Sequence, residues 1–241
     1  MICGDNGEII NSFATEQRPL KESFVLRNDL PILRDPHDPE KSLTLQAEGV
    51  TSAQQLEVTY WGDLKTFAKN RPKAQINTIV QQARDMVAME GPQLAASMER
   101  LMICHESFAE DETGALLALG QGVFNGSGQI VAEGTVLGIF AGGFLLGDNA
   151  FSLERKQGSR NSLSHTWNSG SWKNTVNSFR HRNLLSMVNS GHLSGKPALA
   201  ENNVGLFILG REGNLICYFT TKPVAPGAEY YINYGESYDP D

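Results

Sequence analysis

Cysteine is scarce in this chain. Cys3, Cys104 and Cys217 are the whole complement and lie far apart. No two have a zinc-ligand spacing, and an odd count argues against a disulfide framework. The expectation is reduced, buried or idle thiols in a reducing compartment, and no metal site. Basic residues are also in the minority, 20 against 27 acidic ones, for a net charge of -7. A chain without a basic stripe is a poor unaided binder of nucleic acid. Its charge suits a basic partner such as a Lys-rich protein, although it also serves solubility. Long apolar runs are missing too. The longest, Val136 to Leu146, is interrupted by Gly138, Gly142 and Gly143 and is too short to cross a bilayer. Met1 to Ser12 has no basic segment followed by an apolar one, as a signal peptide requires. A cytoplasmic or nuclear location is expected, or delivery into a host cell by a route other than Sec, with no membrane association.

What is present is ordinary for a globular protein: 40% hydrophobic and 20% charged residues in 241, enough for one large domain or two small ones. Residues 1–50 are punctuated by Pro19, Pro31, Pro36 and Pro39, which predicts an extended arm of strands and loops that wraps the rest. A helical period follows. Leu56, Tyr60, Leu64, Phe67 and Ala68 predict a first helix, with Thr51 and Ser52 placed to cap it. Pro72 opens a second, with Ile76, Ile79, Val80, Ala83 and Val87 as its stripe. Leu94, Met98, Leu101, Met102 and His105 predict a third. Residues 51–108 thus read as a three-helix unit.

From about residue 109 the texture becomes short apolar runs between glycines. Leu116–Leu119, Gly134–Phe140, Gly205–Leu209 and Leu215–Phe219 read as strands, the last two joined by a turn at Arg211–Asn214. Residues 148–177 are polar and rich in Ser and Asn, and read as an insert. Phe179 to Val188 has the spacing of one more helix.

Three segments carry a resemblance. Gly120-Gln121-Gly122-Val123-Phe124 precedes Ile130-Val131-Ala132-Glu133-Gly134-Thr135-Val136-Leu137-Gly138-Ile139-Phe140. Asn183-Leu184-Leu185-Ser186-Met187-Val188-Asn189-Ser190 follows, and then Gly227-Ala228-Glu229-Tyr230-Tyr231-Ile232-Asn233-Tyr234-Gly235. In this order they resemble the SET family of protein methyltransferases, over about residues 115–240. The resemblance implies an α+β fold of small β-sheets with a knot-like C-terminal crossing, here preceded by the helical unit. It implies S-adenosylmethionine as cofactor and a protein or peptide with an exposed lysine as substrate.

Residue by residue, it implies that Gly120, Gln121, Gly122 and Val123 cradle the cofactor. The two glycines, lacking Cβ, let backbone come close to it. Asn189 and Ser190 would hold it from the second segment, and Tyr234 would sit where cofactor and lysine channel meet. Phe140, Trp172, Tyr231 and Tyr238 are candidate channel walls, each with packing as its alternative reading. The implied reaction is an in-line displacement of the sulfonium methyl by a neutral amine, which needs no metal. An aromatic channel would keep that amine neutral by disfavouring its charged form.

The chain departs from the family pattern at four places. Ser190 stands for the His, Ser186 for the Arg, Phe140 for the Tyr and Gly143 for a frequent Glu. A second reading follows: a catalytically weak or inactive SET-like module that binds a basic peptide. A cysteine hydrolase is excluded on the expectation that Cys104 and His105 are neighbours on a helix and point apart. His165 and His192 have no carboxylate or Cys at ligand spacing. Arg180-His181-Arg182 is either a solvated helix face or a contact for a cofactor carboxylate.

Overall fold

The computed structural model describes residues 8–10, 23–26, 28, 34–35, 38–42, 45–46, 48–89, 91–110, 114, 116–141, 143–146, 166–168, 174–177, 181–191, 200–211 and 215–234. The described part of the arm holds four short strands, with helical backbone at Leu45–Gln46 and a turn at Glu48–Gly49. β1 (Glu8–Ile10) pairs antiparallel with β2 (Ser23–Leu26), and β3 (Arg34–Asp35) with β4 (Asp38–Ser42). Asn28 ties the arm to the rest: its Nδ2 donates to Glu99 at 2.9 Å, and its Oδ1 accepts from the Leu184 N–H at 3.0 Å.

The first helix is shorter than its periodicity predicts. Ser52 precedes only a 3-10 turn, Ala53–Gln55, where Gln55 Oε1 accepts the Thr51 and Ser52 N–H groups at 2.8 and 3.1 Å. Leu56 lies outside any helix, and Tyr60 falls in strand β5 (Val58–Tyr60). Val58, Thr59 and Tyr60 suit a pleated edge better than a helix. Helix α1 then runs Gly62–Ala68 and buries Leu64 and Phe67. Helix α2 (Lys73–Ala88) buries the whole expected stripe and Met86 besides.

Helix α3 (Gly91–Leu101) buries Leu94 and Met98 but stops where the sequence predicts it to continue. Met102–Glu110 is strand β6, paired antiparallel with β7 (Leu116–Asn125) from Met102↔Asn125 to Glu110↔Leu116. Met102 continues the helical spacing of Leu94 and Met98, which conceals the change of period. The inter-strand ladder outweighs a local preference that the sequence states only weakly.

Next come β8 (Val136–Ile139), β9 (Gly143–Leu146), β10 (Thr166–Asn168) and β11 (Asn174–Asn177). The described part of the expected insert is β10 and β11, which join β9 in a sheet of order β10-β11-β9. The helix expected at Phe179–Val188 is instead β12 (His181–Arg182), parallel to β2, and a 3-10 turn at Leu184–Met187. Asn183 holds this corner. Wholly buried, its Nδ2 donates to the Ile139 carbonyl at 2.6 Å, and its Oδ1 accepts the Ala141 N–H at 3.3 Å.

The chain closes with β13 (Asn189–Ser190), β14 (Val204–Leu209), β15 (Leu215–Thr220) and β16 (Tyr231–Ile232). β14 and β15, buried at every position and apolar but for Thr220, pair antiparallel as expected. The central sheet has the order β13-β16-β14-β15-β8, with β5 also on β14. β16 is parallel to both of its neighbours, with Asn189 opposite Tyr231 and Val204 opposite Ile232. Two strands consecutive in the chain therefore flank the last one, and their connection has to cross it. This is the α+β architecture of small sheets with a C-terminal crossing that the resemblance implies.

The helices do not form a core of their own. Leu64, Ile79, Val87 and Met98 belong to one buried cluster with Leu137, Ile139, Phe207, Phe219 and Tyr230. Arg71 fastens the helical side from outside. Its guanidinium lies 4.8 Å from the Phe67 ring centroid and is paired with Glu133 at 2.9 and 3.1 Å.

Candidate functional site

The three expected segments meet at the crossing. The outer edge of β7 receives the chain leading into β16: the Asn125 N–H donates to the Ala228 carbonyl at 2.9 Å, and the Tyr230 N–H to Val123 at 2.8 Å. From the other side, Asn189 reaches β7 with its amide. Nδ2 donates to the Gln121 carbonyl at 3.2 Å and to Glu229 Oε1 at 2.9 Å. Asn203 locks the same place: its N–H donates to the Tyr231 carbonyl at 3.0 Å, its Oδ1 accepts the Tyr231 N–H at 2.9 Å, and its Nδ2 donates to the Glu229 carbonyl at 2.8 Å.

Glu229 is the hub. Its side chain, in a residue only 9% exposed, accepts from Asn189 on Oε1. Oε2 accepts from the Ser107 hydroxyl at 2.7 Å and the Tyr231 hydroxyl at 2.6 Å. All three partners are neutral donors, and no cation bonds it among the described residues. A buried carboxylate needs such partners to be tolerated. Burial first, then the hydrogen bond to Glu229 and its charge, push the Tyr231 phenol well above its ordinary range, so it stays protonated and donates.

The two glycines of the first segment differ. Both lie on β7 itself, opposite His105 and Ser107, with a register shift beside Gly120. Gly120 has φ +90, and a Cβ built there would meet nothing within 4 Å. At Gly122 the same atom would lie 2.2 Å from Glu229 Oε1 and 2.7 Å from Ser107 Cβ. The space that Gly122 leaves is filled by the Glu229 carboxylate. Val123 is wholly buried in the core.

Tyr234, 37% exposed, donates its hydroxyl to the Val188 carbonyl, one residue before Asn189. Ser190 is buried and pairs with Ile232. Phe140 is buried and stacks on Tyr218 with ring centroids 5.9 Å apart, so it packs in the core. Trp172 and Tyr238 lie outside the described residues, as do His165, His192 and Arg180.

Cys104 and His105 are not on a helix. They are consecutive on β6, where alternate side chains point to opposite faces, so they still form no dyad. Cys104 Sγ sits 3.0 Å from Gln121 Oε1 and 3.8 Å from Met187 Sδ, while the His105 ring lies against Phe124. Among the described residues no cluster of His, Cys, Asp and Glu could hold a metal ion.

Reading by sequence missed the hub. Glu229 was visible as the acidic residue of the third segment, two before Tyr231, but its role was not. Ser107 carried no signal, because it lies 122 positions from the carboxylate that it serves.

No family profile matches the chain, and no curated protein matches it in sequence. Among solved structures it is similar to a humanized mutant of the Chaetomium thermophilum Polycomb Repressive Complex 2 at 17% identity and a TM-score of 0.40. That match covers 57% of this chain and 15% of the other. It is also similar to a SET-domain histone lysine methyltransferase of Neurospora, at 13% identity and a TM-score of 0.39, over 51% of this chain and 50% of that one. The three segments meet, in order, at a parallel crossing of β13, β16 and β14 within an α+β fold of small sheets.

Proposed function

We propose that this chain is an S-adenosylmethionine-dependent methyltransferase that acts on a protein lysine. The observation that carries this reading is the meeting of the three segments. Asn189 bonds both Gln121 and Glu229, and Tyr234 bonds Val188, so first, second and third segments share one polar cluster. The residues fit the cofactor's chemistry. Gly120 leaves backbone open to a close approach, Asn189 keeps its Oδ1 as an acceptor, and an anionic hub suits a cationic ligand.

The bound cofactor would supply an electrophilic methyl on a sulfonium. The rest falls to the chain. Asn189 and the backbone of Gly120–Gln121 bind and orient, and Ser190 contributes from the buried strand beside them. Tyr234 commits its proton to Val188, so toward a lysine amine it acts as an acceptor that aligns the nitrogen. Alignment of this kind is worth several kcal/mol in well-oriented reactions. Tyr231 is anchored on Glu229 and offers its ring as a wall. The substrate would be a protein or peptide with an exposed lysine, drawn to a chain of net charge -7.

One observation favours the second reading, a binding module without catalysis. Gly122 offers the cofactor no room, because Glu229 occupies it. Calorimetric titration with S-adenosylmethionine separates the two. Saturable binding together with transfer of a labelled methyl to lysine supports the enzyme. The absence of binding at millimolar cofactor removes it.

A further inference from the structure

We infer that Glu229 sets the charge selectivity of the cofactor site, making it prefer a cationic sulfonium to the neutral thioether left after methyl transfer. The inference rests on the reading that this site takes S-adenosylmethionine.

The argument starts from what surrounds the carboxylate. Its three donors, Ser107, Asn189 and Tyr231, contribute hydrogen bonds and no positive charge. The position where the family carries an arginine is Ser186, whose hydroxyl is turned to the Asn183 carbonyl at 2.8 Å. The ion pairs of the described residues, Arg71–Glu133, Arg211–Glu57 and Lys222–Glu201, do not involve Glu229. The hub is thus a carboxylate whose charge meets only neutral donors in a buried cage. Hydrogen bonds to neutral donors make that charge tolerable but do not cancel its field.

The field acts where it matters. Glu229 bonds Asn189 directly, and Asn189 bonds the Gln121 carbonyl, so the charge sits one side chain away from the strand expected to hold the cofactor. At separations of several ångströms, with an effective dielectric constant of about 20, one unit charge changes the affinity for a cation by roughly tenfold or more. A neutral ligand of the same shape gains nothing from it. A site built this way holds the charged methyl donor and releases the uncharged product.

The test uses the full chain, its Glu229→Gln variant and three ligands titrated calorimetrically: S-adenosylmethionine, the analogue with a protonated amine in place of the sulfonium, and the thioether product. The parent is expected to bind both cationic ligands at least about tenfold tighter than the thioether. Glu229→Gln should reduce that ratio to between one and roughly threefold. A folded Glu229→Gln protein that keeps the parent's ratio overturns the inference while leaving the cofactor reading intact. Should that variant not fold, salt on the parent decides. A buried charge is screened little, so the preference should persist from low to high ionic strength, and its collapse in salt would overturn the inference. If none of the three ligands binds the parent, the cofactor reading itself fails and this inference falls with it.

Discussion

Gly122→Ala is the sharpest single test of the architecture. The new Cβ would lie 2.2 Å from Glu229 Oε1, 2.9 Å from its Cδ and 2.7 Å from Ser107 Cβ. Ser107 cannot retreat, because β6 is paired with β7 along its length. The carboxylate must leave, and Ser107, Asn189 and Tyr231 lose their common acceptor. Hydrogen bonds to a charged group contribute about 1.5–3 kcal/mol each, and breaking one partner out of a buried charged cluster costs about 3–5 kcal/mol. Some of the loss is recovered when the displaced carboxylate meets water. A destabilisation of about 3–5 kcal/mol is expected, which for a chain of this size lowers Tm by roughly 6–20 °C. Gly120→Ala is the internal control. Its Cβ meets nothing, so its cost is the left-handed backbone alone, about 1–2 kcal/mol. Urea unfolding of both variants beside the parent measures the difference. The double variant Gly122→Ala/Glu229→Ala should lose less than the sum of the single changes, by at least about 1 kcal/mol. If Gly122→Ala is no worse than Gly120→Ala, the assignment of that space to the carboxylate is wrong.

Tyr234→Phe should fold with a Tm close to the parent's and lose most of the methyl-transfer rate; equal rates in a labelled-methyl assay would take Tyr234 out of the reaction. Asn183→Ala should cost about 2–4 kcal/mol by denaturant unfolding, since it orphans the buried Ile139 carbonyl and leaves a hole. A fragment of residues 109–241 should give no cooperative unfolding transition by circular dichroism, because Leu64, Ile79, Val87 and Met98 are part of its core. On the alkaline side, burial raises the phenols of Tyr218, Tyr230 and Tyr231 above their ordinary value near 10. A raised acid stabilises the fold fully below that value and progressively less as pH climbs toward the folded-state pKa. These three phenols should therefore ionise late and steeply, together with loss of structure; tyrosinate absorbance that reaches its full value smoothly near pH 10 would contradict their burial.

The sequence made β14, β15 and α2 plain because each states one period without competition: Val204–Leu209 is continuously apolar, and Ile76, Ile79, Val80, Ala83 and Val87 keep helical spacing. It failed at β6, where Met102 falls in phase with Leu94 and Met98 while the chain has already turned to strand. It failed again at Phe179–Val188, where Asn183 spends its amide on Ile139 and Ala141 rather than letting a helix run through. At the candidate site, the order of the three segments was legible. The network was not, because Ser107, Gly122, Asn189, Glu229 and Tyr231 acquire their relation only through pairing across the crossing. The two glycines look equivalent in sequence, and only the placement of Glu229 tells them apart.

The crossing also fixes when the site can exist. Ser107 and Glu229 are 122 positions apart, and the Tyr230 hydroxyl reaches the Leu101 carbonyl over 129. Contacts so distant in sequence close late, since their loop entropy must be overcome before they return anything. β16 has no slot until both β13 and β14 flank it. A refolding chain should bury its core before it can bind a ligand at the crossing, and a local opening of residues 229–234 would remove Glu229, Tyr231 and Tyr234 from the polar cluster in one step. Ligand binding at this place is thus a report that folding has finished.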